Sequence, residues 1–123
     1  MGEKKIRVLI ANPTRVLREF LYDAIRKAPG IEVVGDVSDE SAIVPATART
    51  NPDCLIVPLD DTNAPAPMCA EILNDRPGMT IVAIGEGTNI VAIYWKSEEG
   101  EVRCTYTTAS REGILKAIHF STA

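Results

Sequence analysis

The sequence predicts an α/β domain in three layers, a doubly wound parallel sheet with helices on both faces. From residue 6 to residue 84, short β-branched apolar runs alternate with segments of helical period; this alternation is typical of parallel strands joined by right-handed crossovers. The chain has 123 residues, of which 46% are hydrophobic and 24% charged, as in one compact domain. We therefore expect residues 1–123 to form a single domain.

The first strand is predicted at Ile6–Ala11, a nearly continuous apolar run of the kind buried on both faces of a sheet. The next segment repeats apolar residues at helical spacing, and Pro29-Gly30 ends it. The residues of this stripe are Val16, Leu17, Phe20, Leu21, Ala24 and Ile25. A second strand is expected from Ile31 to Val37.

The alternation continues with a second helix over 39–49, for which Ser38 is the expected cap. Pro45 should kink or shorten this helix because proline lacks an amide hydrogen. The remaining elements of the parallel part are a third strand, a short helix and a fourth strand, predicted at 54–57, 67–75 and 80–84.

After residue 84 the helical period stops and a hairpin is predicted. Two strand-like segments, 90–95 and 101–107, flank a turn in which Gly100 suits the left-handed position of a bulged hairpin. Pairing Ser97 with Glu101 would set opposite each other Trp95 and Arg103, Tyr94 and Cys104, and Ala92 and Tyr106. The simplest path is a meander from the fourth strand through both arms; the alternative places the first arm at the sheet edge.

The last predicted element is a helix over 110–120, with Ser110 as its cap. Ile114, Leu115 and Ile118 lie on one stripe of this helix, which gives it an apolar face to pack on the sheet.

Charge and cysteine content restrict the function classes. Thirteen basic and seventeen acidic residues leave a net charge of −4, without the basic excess of a nucleic-acid binder, and no apolar run reaches the roughly 18 residues of a membrane span. The three cysteines lack CxxC spacing and His119 is the only histidine. We therefore expect a cytoplasmic protein with no disulfide framework, no metal site and no cofactor.

Three stretches resemble the receiver domain of bacterial response regulators, above all receivers that precede a helix-turn-helix output domain. They are IRVLIANPTRVLREFLYDAIRKAPGIEVVGDVSDESA, RTNPDCLIVPLD and TTASREGILKAI. The resemblance implies a sheet of order 2-1-3-4-5, a site at the carboxyl ends of the strands and a role in two-component signalling. The predicted hairpin takes the place of the receivers' fourth helix.

The resemblance also assigns chemical roles to five positions, and the sequence departs from the receiver pattern at each. Asn12 and Pro13 stand where receivers hold magnesium with an acidic pair, and Pro58 stands where they carry the phosphate-accepting aspartate. Gly85 replaces the switch serine or threonine, and Thr107 replaces the lysine. Proline has no nucleophilic oxygen, and magnesium prefers carboxylate ligands. We therefore predict a non-phosphorylatable pseudo-receiver that has no catalytic residues and is not an enzyme.

Two other uses of this edge are open. A small ligand could bind in place of magnesium and phosphate, in a pocket lined by Asn12, Pro58, Asp60, Gly85 and Thr107. Phosphate could instead be accepted at Asp60 or Asp61, although both also fit solvated loop residues.

The hairpin residues Tyr94, Trp95, Arg103 and Tyr106 are the candidate interface, because aromatic residues and arginine are enriched at interface centres. Receivers commonly dimerise or dock partners through this region, so we expect a protein partner or a homodimer. In the alternative interpretation the aromatic residues fill core that the missing helix would have supplied, and Trp95 and Arg103 could form an exposed cation–π pair.

Overall fold

The structure, a computed structural model, describes residues 5–11, 15–58, 67–85 and 90–120. Its six strands are β1 (Ile6–Ala11), β2 (Ile31–Val37), β3 (Cys54–Pro58), β4 (Thr80–Ile84), β5 (Ile90–Lys96) and β6 (Val102–Thr108). Its four α-helices are α1 (Arg15–Arg26), α2 (Ile43–Thr50), α3 (Pro67–Asp75) and α4 (Arg111–His119), and a 3-10 turn at Glu40–Ala42 precedes α2.

The strands form one sheet of order β2-β1-β3-β4-β5-β6. Neighbours among β1 to β4 are parallel, whereas β5 is antiparallel to both β4 and β6. The α/β fold class and the meander are thus confirmed. The antiparallel strand β5 lies beside β4 because only five residues separate Ile84 from Ile90. A parallel neighbour would need a crossover connection of about a dozen residues.

Two apolar cores lie on opposite faces of the sheet. The core under α1 and α4 combines strand residues such as Val8, Ile10, Ile56, Val82 and Ile93 with Leu21, Ile25, Ile114 and Ile118 of the helices. The core under α2 and α3 contains Leu9, Leu55, Ile81, Ala92 and Tyr94 with Ile43, Ala46, Ile72 and Leu73. Strands β3 and β4 are buried on both faces, as expected of the centre of a doubly wound sheet.

The predicted stripe of α1 is wrong at two positions. Leu21, Ala24 and Ile25 are buried, but Val16 is 74% and Phe20 43% exposed. These two residues lie one turn apart at the margin of the stripe, so the helix docks through the narrower face that Leu21 and Ile25 share.

The start of the second helix also differs from the prediction. Helix α2 begins at Ile43, so Pro45 lies in its first turn, where amide hydrogens have no partner within the helix. Ser38 is not the cap: Ala42 holds that position without a side-chain bond, and Asp39 Oδ1 accepts a hydrogen bond from Ser41 N at 3.1 Å.

The hairpin has the predicted register. Trp95 pairs with Arg103, Tyr94 with Cys104 and Ala92 with Tyr106. In the turn, Ser97 N donates to Glu101 O at 2.8 Å and Gly100 has φ 83°, the left-handed conformation that glycine adopts without strain.

The α4 helix begins directly against the end of β6. Ser110 Oγ accepts a hydrogen bond from Gly113 N at 3.0 Å, which confirms the predicted cap. A Cβ atom on Gly113 would lie 1.9 Å from Thr108 O. Glycine at this position therefore allows the helix to approach the strand.

Candidate functional site at the carboxyl edge and the hairpin

The carboxyl edge of the sheet contains one row of paired residues. Pro58 pairs with Ile84, Ile84 with Val91, and Val91 with Thr107. Ile84 and Val91 are buried, Thr107 is half-buried and Pro58 is exposed. The positions that correspond to the receivers' aspartate and lysine are therefore separated by two apolar residues.

This row determines how far Thr107 lies from Pro58 in the predicted ligand pocket. Three strand spacings of about 4.8 Å place Thr107 about 14 Å from Pro58. The cause is β5, which lies between β4 and β6 and moves Thr107 one strand further from the site than the receiver order implies. Asn12, Pro13, Asp60 and Asp61 lie outside the described residues.

Gly85 is used within the fold. It is buried, and its N–H donates to Ile90 O at 3.5 Å, closing the connection from β4 to β5. An anion cradle needs amide hydrogens that point at the ligand, so the Gly85 amide does not support one.

The three described positions of the predicted phosphorylation site do not suit magnesium. Among Pro58, Gly85 and Thr107, the only side-chain oxygen is the hydroxyl of Thr107, which lies on the far side of β5. Magnesium prefers oxygen ligands, usually including carboxylates, in near-octahedral geometry. The part of the chain that the structure describes also contains no group of three or more His, Cys, Asp or Glu residues placed to hold a metal ion.

The four candidate interface residues have different environments. Tyr94 is only 2% exposed and belongs to the core under α2 and α3, so it fills core as the alternative interpretation predicted. Its hydroxyl is buried and has no hydrogen-bond partner among the described residues. Burial, with the neighbouring Cys104 and Tyr106, raises the pKa of Tyr94.

Trp95 and Arg103 face α4, on the other side of the sheet. Trp95 is half-buried, and its ring centroid lies 4.8 Å from that of Phe120 at a tilt of 56°. The guanidinium of Arg103 is paired with the carboxylates of Glu99 and Glu101, at 3.7 and 3.5 Å. Trp95 thus packs with α4, while Arg103 bridges to the acidic turn.

Tyr106 is the most exposed of the four residues, at 58%, and two neighbours share its face of β6. Val102 is 43% exposed and Cys104 is also exposed, whereas Cys54 and Cys69 are buried. Val102 and Cys104 are not among the interface residues predicted from the sequence. The signal was present in the period-two alternation of VRCTYTT, in which Val, Cys and Tyr occupy one face.

A separate groove of about 220 Å³ lies between α2 and α3. It is lined by Val44, Thr47, Ala48, Ile72, Asp75 and Arg76. None of these residues belongs to the predicted pocket.

Within the described ranges, no helix has the length and apolar content needed to cross a bilayer.

Comparisons with known proteins found no matching family profile. Two curated relatives match part of the chain. A protein-glutamate methylesterase/protein-glutamine glutaminase of Xanthomonas campestris is 34% identical over 58 residues, and one of Geobacter metallireducens is 42% identical over 48. These matches cover 47% and 39% of this chain but only 16% and 14% of the relatives' lengths.

Solved structures show similarity over a larger share of the chain. The isolated receiver domain of RcsB from Salmonella enterica, in the presence of the phosphomimetic BeF3−, matches with a TM-score of 0.58 and 16% identity, covering 70% of this chain and 66% of that one. A second RcsB structure matches with a TM-score of 0.59 and 17% identity, covering 71% of this chain and 46% of that one. A variant of HypX from Aquifex aeolicus matches with a TM-score of 0.52 and 15% identity, covering 97% of this chain and 27% of that one. At these identities the comparisons establish the fold.

Proposed function

Because this chain has the fold of a receiver domain, we propose that it is a pseudo-receiver: a non-catalytic signalling module that takes up no phosphoryl group and acts through protein contacts, with a homodimer as the expected assembly. Its likeness to receiver domains supports a role in two-component signalling. The observation that carries the proposal is Pro58, which ends β3 where a receiver presents its aspartate and provides no carboxylate to attack phosphorus.

The row from Pro58 to Thr107 supports the loss of switching as well. In a receiver, a serine or threonine and a lysine respond to the bound phosphoryl group. Here Gly85 has no side chain, and buried Ile84 and Val91 lie between Pro58 and Thr107. Because no group senses a phosphoryl charge, the domain holds one conformation. It then signals by whether its protein partner is bound.

Phosphorylation is tested by incubating the protein with acetyl phosphate and magnesium, followed by intact-mass spectrometry. We expect no mass gain, while a phosphorylatable receiver assayed in parallel gains one phosphate. A gain in this protein that Asp60→Asn or Asp61→Asn removes would identify displaced phosphorylation and overturn the proposal.

Dimerisation is tested by sedimentation at high micromolar concentration. We expect a dimer that Tyr106→Ala weakens, because Tyr106 is exposed on β6. Trp95→Ala should also weaken the dimer, but indirectly, because Trp95 supports β6 by pairing with Arg103. Tyr22→Ala is the matched control, since Tyr22 is an exposed tyrosine on α1, 37% accessible. A monomer at the highest concentration would remove dimerisation from the proposal.

The alternative function, binding of a small ligand at the carboxyl edge, has less support. Thr107 lies about 14 Å from Pro58, and the Gly85 amide is engaged with Ile90. A thermal-shift screen with nucleotides and small anions separates the two functions, because a ligand bound to the folded state raises the melting temperature by mass action.

A further inference from the structure

The outer edge of β6 has no neighbouring strand among the described residues. Ser97 and Glu101 are hydrogen-bonded in the hairpin, so the alternation of an antiparallel ladder places the next bonded positions at Arg103, Thr105 and Thr107. The N–H and C=O groups of Val102, Cys104 and Tyr106 then point away from β5. Seven residues at about 3.4 Å each give an edge about 24 Å long.

This edge lacks the features that discourage pairing at the other one. Natural edge strands are protected by bulges, charges, proline or a covering element. The opposite edge strand, β2, carries Glu32 and Asp36, and its pairing with β1 has a register shift between Val8 and Leu9. In contrast, β6 pairs with β5 over seven uninterrupted positions and contains no proline.

The single charge on β6 leaves one face of the strand apolar. Arg103 lies on the face toward α4 and is compensated by Glu99 and Glu101. On the opposite face, Val102, Cys104 and Tyr106 form a strip, which we call the β6 strip. Next to it lies the hydroxyl of Tyr94, which is buried and has no hydrogen-bond partner among the described residues.

We propose that β6 pairs antiparallel with β6 of a second copy of this chain, with the two-fold axis at Cys104, so that the two sheets join into one. This inference rests on the proposed function and specifies the surface and register of its dimer. In this register Val102 lies opposite Tyr106 of the second copy, and the two Cys104 residues face each other. The β6 strip thereby pairs with itself, and a two-fold pairing leaves neither β6 edge open.

Charge selects the antiparallel orientation and the second copy. The hairpin turn is acidic, with Glu98, Glu99 and Glu101 close together. Parallel pairing would set two such turns side by side, which is destabilising for like charges, whereas antiparallel pairing places them at opposite ends of the seam. Glu101 then faces Thr107, and Arg103 faces Thr105, of the second copy, so no like charges are opposed.

The register can be tested with the protein's own cysteine. Cα atoms of a directly opposed, hydrogen-bonded pair lie about 5.5 Å apart, within the roughly 4.4–6.8 Å that a disulfide spans. Cys54 and Cys69 are buried, so Cys104 is the thiol available for crosslinking between copies. Diamide takes up the two protons and two electrons released when the Cys104 thiols join, and the product is read by non-reducing electrophoresis.

The matched control moves the thiol along the same edge. In a Val102→Cys, Cys104→Ser double variant, the new cysteine is exposed like Val102 but lies about 14 Å along the seam from its symmetry mate. We expect wild type to form about tenfold more disulfide dimer than this variant, because only the wild-type pair lies within disulfide reach. Equal crosslinking of both would indicate random collision and overturn the register.

A backbone test is independent of crosslinking. Cys104→Pro removes an outward-pointing N–H, at a position where an edge strand tolerates proline, whereas Cys104→Ser retains it. Sedimentation should show the serine variant as a dimer and the proline variant as a monomer, with circular dichroism checking that both are folded. A wild-type dimer that neither crosslinks nor responds to Cys104→Pro would overturn the edge pairing but leave dimerisation standing; a wild-type monomer would overturn both.

Discussion

The parallel half of the sheet, β1 to β4, and the antiparallel meander of β5 and β6 are built differently. In β3 the residues Cys54 to Val57 are all buried, because helices cover both faces. In β6 every residue except Thr107 is exposed. The receiver-like core is thus concentrated where helices cover the sheet, and the departure from the receiver pattern leaves a strand uncovered. Burial is thus concentrated in the parallel half, whereas the partner contact that we propose lies on the exposed strand β6.

The largest expected effect tests whether stability resides in the parallel half. Leu55→Ala in β3 should lower the free energy of unfolding by about 3–4 kcal/mol, because it leaves a cavity at a fully buried site. Val102→Ala in β6 should change it by less than about 0.5 kcal/mol when both variants are unfolded at a protein concentration low enough to keep them monomeric. Denaturant unfolding of both variants measures the difference in the free energy of unfolding. Similar losses in the two variants would contradict the idea that stability resides in the parallel half.

The second prediction concerns the junction of β6 and α4. Gly113→Ala should destabilise the protein by about 2–3 kcal/mol, because the added Cβ would lie 1.9 Å from a backbone oxygen of Thr108 and the helix must shift. Gly78→Ala is the control, since nothing lies within 4 Å of its added Cβ. Thermal unfolding that ranks the two variants equally would show that the strand and helix can separate without strain.

A smaller effect is expected at the cap of α4. Ser110→Ala should cost about 1 kcal/mol, because it leaves the Gly113 N–H without its acceptor. Ser38→Ala should have little effect, since Ser38 does not cap α2. A larger loss at Ser38 in urea unfolding would show that the sequence prediction of that cap was right.

The smallest effect is expected at Tyr94. Tyr94→Phe removes a buried hydroxyl without a partner among the described residues, so stability at neutral pH should stay the same or rise by up to about 1 kcal/mol. Burial raises the pKa of Tyr94, so the folded state retains a proton that the unfolded state releases above about pH 10. The free energy of unfolding should therefore fall as pH rises above 10, and Tyr94→Phe should reduce that fall. If the variant loses as much stability above pH 10 as the wild type, Tyr94 is not the group responsible.

Local rules accounted for much of the fold. The predicted bounds of α3 and β4 agree with the structure, because proline and glycine mark their ends. The register of the hairpin followed from a single pairing, Ser97 with Glu101, since each further pair is fixed once the turn is set. The exposure of Val16 and Phe20 could not be read from period alone, because it depends on how much of the α1 surface its neighbours cover.

The candidate site was harder to predict than the fold. Thr107 was placed beside the site from a one-dimensional alignment, although its distance from Pro58 depends on which strands lie between them. The meander itself was predicted, but the consequence of its central strand for the pocket required the order of the whole sheet. Exposure of the β6 strip likewise depends on which elements cover that end of the sheet, and local residue patterns do not report neighbours that are distant in sequence.

The contact between Gly113 and the end of β6 has a mechanical consequence. A hinge needs slack between the two bodies it joins, and this junction has none: Ser110 N bonds Thr108 O at 2.8 Å, and Ile114 N bonds Ser110 O at 2.9 Å. We therefore expect β6 and the start of α4 to move together, so that a protein bound to β6 would also shift the first turn of α4.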